Sequence, residues 1–236
     1  MTFRARDQRS VTPQGEGRFP GYDVLEEVRR WDDVTAGVVL SRLAPTTDLS
    51  FFTLTENGIV NPLMDLLLGQ HGEPRVPVVA MIDARLAAGE TDGWHYDDMP
   101  PDSDAFRQTL AALDEDARDL AGASFAEITP DQQADLVQRV QDAGSSGEEW
   151  HGWSAKHVWS LWTRYGCAAY YSHPWAWNEI GFGGPAYPRG YKNIGVDSRE
   201  RWEVADSDDA DPVPFAHRVE RARKAHADRV GREGRS

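Results

Sequence analysis

Residues 106–140 read FRQTLAALDEDARDLAGASFAEITPDQQADLVQRV, and this stretch predicts two consecutive helices. In its first half, apolar residues recur at the i, i+4, i+7, i+11 and i+14 spacing of a helix that buries one face. These residues are Phe106, Leu110, Leu113, Ala117 and Leu120. The predicted helix covers 103–121 and ends at Gly122, a residue type favoured just after a helix C-terminus.

The second half carries the signals of a new helix start. Thr129 is a suitable N-cap, Pro130 fits the first helical position, and Gln132 can bond back to the N-cap backbone. Its apolar face would consist of Leu136, Val137 and Val140. We therefore predict a helix over 129–143 that ends at Gly144.

Similar patterns predict helices at 22–43, 53–69, 76–88 and 153–171. Six helices with almost no alternating strand pattern indicate an all-α fold: a single compact multi-helix domain over 21–192. Residues 1–20 are predicted to be a flexible arm. Residues 193–236 are predicted to be an acidic segment followed by a polar C-terminal helix.

Composition excludes several classes of function. The formal charge of -14 over 236 residues disfavours binding to nucleic acid or to an anionic membrane surface. No apolar run is long enough to insert into a membrane. The single cysteine, Cys167, cannot form an internal disulfide; it is expected to be buried or idle, or bonded to a second chain. The first residues lack the apolar segment of a signal peptide, which predicts a cytoplasmic chain as written, or export together with a partner.

Motifs of catalysis are scarce. The serine-nucleophile motif G-x-S-x-G is absent, and GFGG at 181–184 does not match the G-x-G-x-x-G dinucleotide fingerprint. A stand-alone metal or acid–base enzyme remains an alternative through one group of side chains: His151, His157, His173 and Glu179. However, His151 and His157 lack the i, i+4 spacing of a helix-borne metal pair.

A carbohydrate-binding module is a further alternative, because aromatic rings beside carboxylates and amides can stack on sugars. Two sets of residues have this composition. They are Trp94 with Asp97 and Asp98, and Trp175 and Trp177 with Asn178 and Glu179.

The ring-rich stretch at 170–185 reads YYSHPWAWNEIGFGGP. Its rings could belong to the core, or they could anchor another protein, because Trp and Tyr concentrate binding energy at interfaces. We expect residues 172–191 to form an irregular loop, stiffened by its prolines, in which both uses occur.

The order of three blocks resembles the gluconate 2-dehydrogenase subunit 3 family. The blocks are FFTLTENGIVNPLMDLLLG with VPVVAMIDARLA, the stretch at 106–140, and YGCAAYYSHPWAWNEIGFGGPAYPRGY. The similarity spans roughly residues 50 to 192 and depends on the order of the blocks more than on any single motif.

The resemblance implies a non-catalytic small subunit of a heteromeric dehydrogenase that oxidises a sugar, a sugar acid or a glycoside. Its partner would be a large flavoprotein of the glucose-methanol-choline (GMC) type that carries FAD, and some complexes add a cytochrome subunit. This chain would bind no cofactor. Its role would be to support the assembly, stability or maturation of the large subunit, and its loop could also shape the substrate entrance.

No catalytic residue is carried over from the family. The candidate partner-binding residues all lie in or beside the ring-rich stretch: Tyr171, His173, Pro174, Trp175, Trp177, Asn178, Glu179, Phe182, Tyr187 and Tyr191.

Overall fold

The computed structural model describes residues 22–43, 48–70, 75–191, 198 and 200. Within these residues the regular secondary structure is helical, apart from one two-stranded hairpin, so the predicted all-α fold is confirmed. The elements are a 3-10 helix Val24–Arg30, α1 Asp33–Ser41, α2 Leu54–Leu68, α3 Val78–Ala87, α4 Asp102–Ala121, α5 Pro130–Ser146, β1 Glu149–Trp150, β2 Trp153–Ser154, α6 Ala155–Ser172 and α7 Pro174–Ile180. The predicted arm at 1–20 and the predicted C-terminal helix lie outside the described residues.

Helix α6 is the central element, because it packs against α2, α3, α4, α5 and α7. It carries large aromatic side chains into the core, and their polar atoms are hydrogen-bonded there. Trp162 Nε1 donates to Thr109 Oγ1 at 3.0 Å, and Tyr165 OH donates to Asp102 Oδ2 at 2.7 Å. Both aromatic residues are at most 1% exposed, so these bonds replace ones that water would otherwise make.

The turn between α4 and α5 is held from both sides by buried side chains. The Asp114 carboxylate accepts from the backbone N–H of Phe125 at 2.8 Å, and Gln133 Nε2 donates to the Phe125 carbonyl at 2.6 Å. The backbone of Phe125 is therefore satisfied while its ring is fully buried. This arrangement gives a physical reason for the spacing of the aspartate, the phenylalanine and the glutamine in the opening stretch.

Most predictions for the ends of α4 and α5 are confirmed, but one apolar residue and one helix stop differ from the prediction. Thr129 and Gln132 form the expected capping box, and α4 ends at Gly122 in the left-handed conformation. However, Leu120 is 41% exposed, so the last member of the apolar stripe lies outside the core. Helix α5 also continues through Gly144 and ends at Gly147, so the predicted stop at Gly144 was wrong.

Gly144 has a packing role instead. A Cβ atom at this position would lie 3.0 Å from the backbone N of Lys156 and 3.2 Å from the carbonyl carbon of Ala155. The first turn of α6 therefore approaches α5 more closely than any side chain would allow.

The predicted helix over 22–43 was wrong as a single element. The 3-10 helix stops before Trp31, whose backbone is extended, and α1 begins after Asp32. The carboxylate of Asp32 accepts from the backbone N–H of Thr35 at 2.8 Å, and this N-cap starts a new helix.

The predicted irregular loop at 172–191 was wrong in its first part, which forms α7. His173 is the N-cap, Pro174 occupies the first helical position, and Gly181 ends the helix in the left-handed conformation. Proline at the first position lacks only an N–H that would have no helical partner, so it permits this short helix.

We predict that Gly144→Ala lowers the free energy of unfolding by about 1–3 kcal/mol, because the new methyl group would push α5 away from the α6 backbone. Gly37→Ala in α1 is the matched control, since a Cβ there meets nothing within 4 Å. That control should stabilise the chain by up to about 1 kcal/mol, through the loss of glycine's unfolded-state freedom. Urea denaturation of the isolated chain measures both, and equal effects of the two substitutions would contradict the packing role of Gly144.

Candidate partner-binding surface

Two distant parts of the described chain, 22–43 and 171–191, pack together into what we call the terminal lobe. The backbone N–H of Val24 donates to Asn178 Oδ1 at 2.7 Å in a buried bond. This bond ties the start of the 3-10 helix to α7.

The interior of the terminal lobe is a small hydrophobic cluster separate from the main core. Val24, Trp31, Val39 and Trp177 form it, each no more than 7% exposed. Gly184 completes the packing: its φ of +75° is a conformation that L side chains rarely adopt, and a Cβ there would lie 2.4 Å from the Trp31 ring. The glycine thus allows the segment after α7 to lie directly on the tryptophan.

Arg189 links the segment after α7 to the 3-10 helix by hydrogen bonds. Its guanidinium donates to the Glu27 carboxylate at 2.5 Å and to the Pro185 carbonyl at 2.9 Å. The Arg189–Glu27 side chains are only 12% and 13% exposed, a setting in which an ion pair is screened less than at an open surface.

The predicted partner-binding residues divide into a buried, a partly buried and an exposed group. His173, Pro174, Trp177 and Asn178 are buried in the chain's own interior. Trp177 also donates through Nε1 to the Tyr171 carbonyl at 2.6 Å. These four predicted contact residues are therefore out of a partner's reach in this conformation.

Trp175 and Glu179 are partly buried. The Glu179 carboxylate accepts from Tyr170 OH at 2.7 Å, which joins α7 to the end of α6. Burial and this carboxylate raise the pKa of Tyr170 above its ordinary value, so the phenol stays protonated and remains a donor.

The exposed group consists of Tyr171, Phe182, Tyr187 and Tyr191, which are between 40% and 65% exposed. Phe182 nevertheless packs edge-on against the buried Trp177, with ring centroids 5.4 Å apart. That these residues contact a partner stays a prediction. The pairing of 22–43 with the ring-rich stretch was missed from the sequence, because no local pattern connects segments so far apart.

The four residues of the alternative enzyme site do not come together. His157 lies in the first turn of α6, whereas His173 follows its last residue, which separates them by roughly 24 Å along the helix axis. His157 bonds to Asp98 at 2.7 Å, and His151 bonds to Asp116 at 2.8 Å. Among the residues that the structure describes, no cluster of three His, Cys, Asp or Glu side chains could hold a metal ion.

An open cleft of about 860 Å³ lies elsewhere, between α2 and the start of α3. Asn57, Asn61 and Gln70 are among its polar lining residues. None of the four candidate catalytic residues lines it.

The two possible sugar platforms differ in accessibility. Trp94 is 47% exposed, but the guanidinium of Arg164 lies 4.7 Å from the centroid of its ring and covers one face. In the second set, Trp177 and Asn178 are buried and cannot contact a sugar.

Two smaller expectations can be compared with the structure. Cys167 is exposed on α6 rather than buried. Over the ranges that the structure describes, no helix combines the length and the apolar character needed to cross a membrane.

Comparison with known proteins identifies the family to which the chain is related. The family model described as gluconate 2-dehydrogenase subunit 3 matches residues 55–184, which is more than half of the 236 residues. The match runs from α2 to Gly184. No curated protein and no solved structure matches the chain.

We predict that His173 makes the fold sensitive to acid. Its imidazole is fully buried, and Nδ1 accepts from the Trp175 backbone N–H at 3.2 Å, so Nε2 carries the proton of the neutral ring. Burial lowers the pKa of His173 to about 4, against a smaller opposing effect of a hydrogen bond to the Arg42 backbone. Between pH 6.5 and 4 the unfolded chain therefore binds a proton that the folded chain does not, and the free energy of unfolding falls as the pH decreases, by about 3 kcal/mol over this window.

His173→Asn tests this prediction, because asparagine can also cap α7 but does not titrate. Urea denaturation of both proteins from pH 7 to pH 4 should show a smaller loss of stability for the variant. The same pH dependence in both proteins would contradict the role of His173.

Proposed function

Because the chain belongs to the gluconate 2-dehydrogenase subunit 3 family, we propose that it is the non-catalytic small subunit of a heteromeric FAD-dependent dehydrogenase. The partner is a large flavoprotein of the GMC type, and the complex oxidises a sugar, a sugar acid or a glycoside. The family name supports the coarser part of this proposal, membership of a multi-subunit dehydrogenase.

The proposal assigns FAD and the chemistry to the partner. A dinucleotide fingerprint joins a strand to a helix, so that the helix N-terminus can face the pyrophosphate. In this chain GFGG follows α7 and lies in an irregular segment packed on Trp31. That setting does not suit a flavin site, which supports a cofactor bound by the other subunit.

The observation that carries the proposal is the exposed half of the ring-rich stretch. Tyr171, Phe182 and Tyr187 carry large rings that are exposed to solvent, and contact with water is unfavourable for their apolar atoms. Tyr171 lies within α6, and Arg189 and Gly184 hold the backbone of the segment that carries Phe182 and Tyr187, so little conformational entropy would be lost on docking. Rigid, exposed aromatic residues of this kind are typical of binding hot spots.

Docking also explains how a subunit without catalytic residues can act. A chain that binds only the folded large subunit stabilises it by mass action. Assembly and maturation of the flavoprotein are therefore the proposed role.

Co-expression of the tagged chain with a candidate partner, a GMC-type flavoprotein from the same organism, tests the proposal. We expect the two chains to co-purify with the absorbance of bound flavin, and the flavoprotein to be less soluble when expressed alone. Recovery of the small chain alone, with the flavoprotein equally soluble in its absence, would contradict the proposed function.

We further predict that Tyr171→Ala/Phe182→Ala weakens the complex about tenfold or more, because truncating interface hot spots costs over 1 kcal/mol each. Titration of the purified subunits measures the affinity. Trp94→Ala is the matched control, since it removes an exposed ring outside the terminal lobe and should leave the affinity unchanged. Equal affinities for the double variant and the wild type would refute the assignment of these rings.

A further inference from the structure

Helix α1 carries apolar residues on several sides, yet only the side of Val39 is covered. Its sequence is DVTAGVVLS, and Val39 is buried against the cluster of Trp31 and Trp177. Val34 is 75% exposed, Val38 51% and Leu40 43%. A helix that is hydrophobic on all sides is normally buried on all sides.

The exposed apolar residues of the described chain are concentrated in the terminal lobe. Eleven large apolar or aromatic side chains are clearly exposed in the part of the chain that the structure describes. Eight of them belong to the lobe, although it holds only about a quarter of the described residues. The eight are Val34, Val38, Leu40, Tyr171, Ile180, Phe182, Tyr187 and Tyr191. Such a concentration marks an interaction surface.

We propose that α1 forms part of the docking surface and that an apolar face of the large flavoprotein subunit covers Val34, Val38 and Leu40. This inference rests on the proposed function, because it requires that partner. It adds a segment that precedes the region matched by the family model.

The geometry of α1 suits close docking. Val34 and Val38 are one turn apart on the same side of the helix. Beside them on the helix surface, Gly37 offers bare backbone, since a Cβ there would meet nothing within 4 Å. A partner side chain can therefore approach the α1 backbone next to the two valines.

Helix α1 is also fixed at both ends before any partner arrives. Asp32 caps its N-terminus. At the other end, Arg42 donates to the Ser172 carbonyl at 2.8 Å and lies 5.8 Å from the Trp177 ring centroid. This attachment places the end of α1 beside the end of α6, where the exposed Tyr171 lies.

Charge argues for a different chain rather than a second copy as the occupant. Two copies that each carry a net charge of -14 repel each other, whereas a neutral or basic partner surface does not oppose association. Asp33, exposed at the start of α1, adds a negative charge beside the apolar face.

The experiment is the double substitution Val34→Asp/Val38→Asp in the full chain, co-expressed with the GMC-type flavoprotein. We expect at least about tenfold weaker binding in titrations with the purified flavoprotein, because two unpaired carboxylates would be desolvated at the interface. The Tm of the isolated variant should equal that of the wild type. Val34→Ser/Val38→Ser should weaken binding in the same direction, but less.

The matched control is Leu54→Asp/Leu120→Asp. It adds the same two charges at exposed apolar positions outside the terminal lobe, and should bind like the wild type.

Several outcomes would overturn the inference. Wild-type affinity of the Val34→Asp/Val38→Asp variant would show that the partner does not cover α1. A lower Tm of the isolated variant would show that α1 is covered by this chain itself, and a wild-type dimer that the substitution converts to a monomer would identify a second copy. A wild-type chain that fails to recover the flavoprotein would instead refute the proposed function, and this inference with it.

Discussion

The structure depends on the hydrogen bonds that three aromatic residues of α6 make inside the protein. These residues are Trp162, Tyr165 and Tyr170, and their partners are Thr109, Asp102 and Glu179. An unsatisfied buried donor costs about 1–3 kcal/mol, so α6 cannot rotate or slide without losing stability. Since five other helices pack on α6, its fixed position also fixes theirs.

The candidate docking surface is a consequence of this constraint. The bond between Tyr170 and Glu179 orients α7, and Asn178 of α7 then holds the backbone of the 3-10 helix at Val24. The segment after α7 returns over Trp31 because Gly184 permits the close approach. Exposed rings and the apolar face of α1 are thus presented on a framework that is already ordered, which favours tight association with another subunit.

The sequence predicted those parts of the fold that local chemistry determines. The capping box at Thr129 and the apolar stripe of α4 from Phe106 to Ala117 depend on residues within a few turns of one another, and they were found correctly. Gly144 was misread, because a helix stop and a close helix contact both favour glycine, and only the position of Lys156 distinguishes them. The split of the aromatic residues between core and surface was equally inaccessible, because Trp177 is buried by residues that precede it by more than a hundred positions.

Amide hydrogen exchange, measured by mass spectrometry on the free chain and on its complex with the large flavoprotein, tests the central claim most directly. If the terminal lobe is the docking surface, exchange should slow in α1 and in residues 181–191 on complex formation. It should stay unchanged along α5, which lies outside the terminal lobe. Protection confined to α4 and α5, with α1 and residues 181–191 unaffected, would contradict the account.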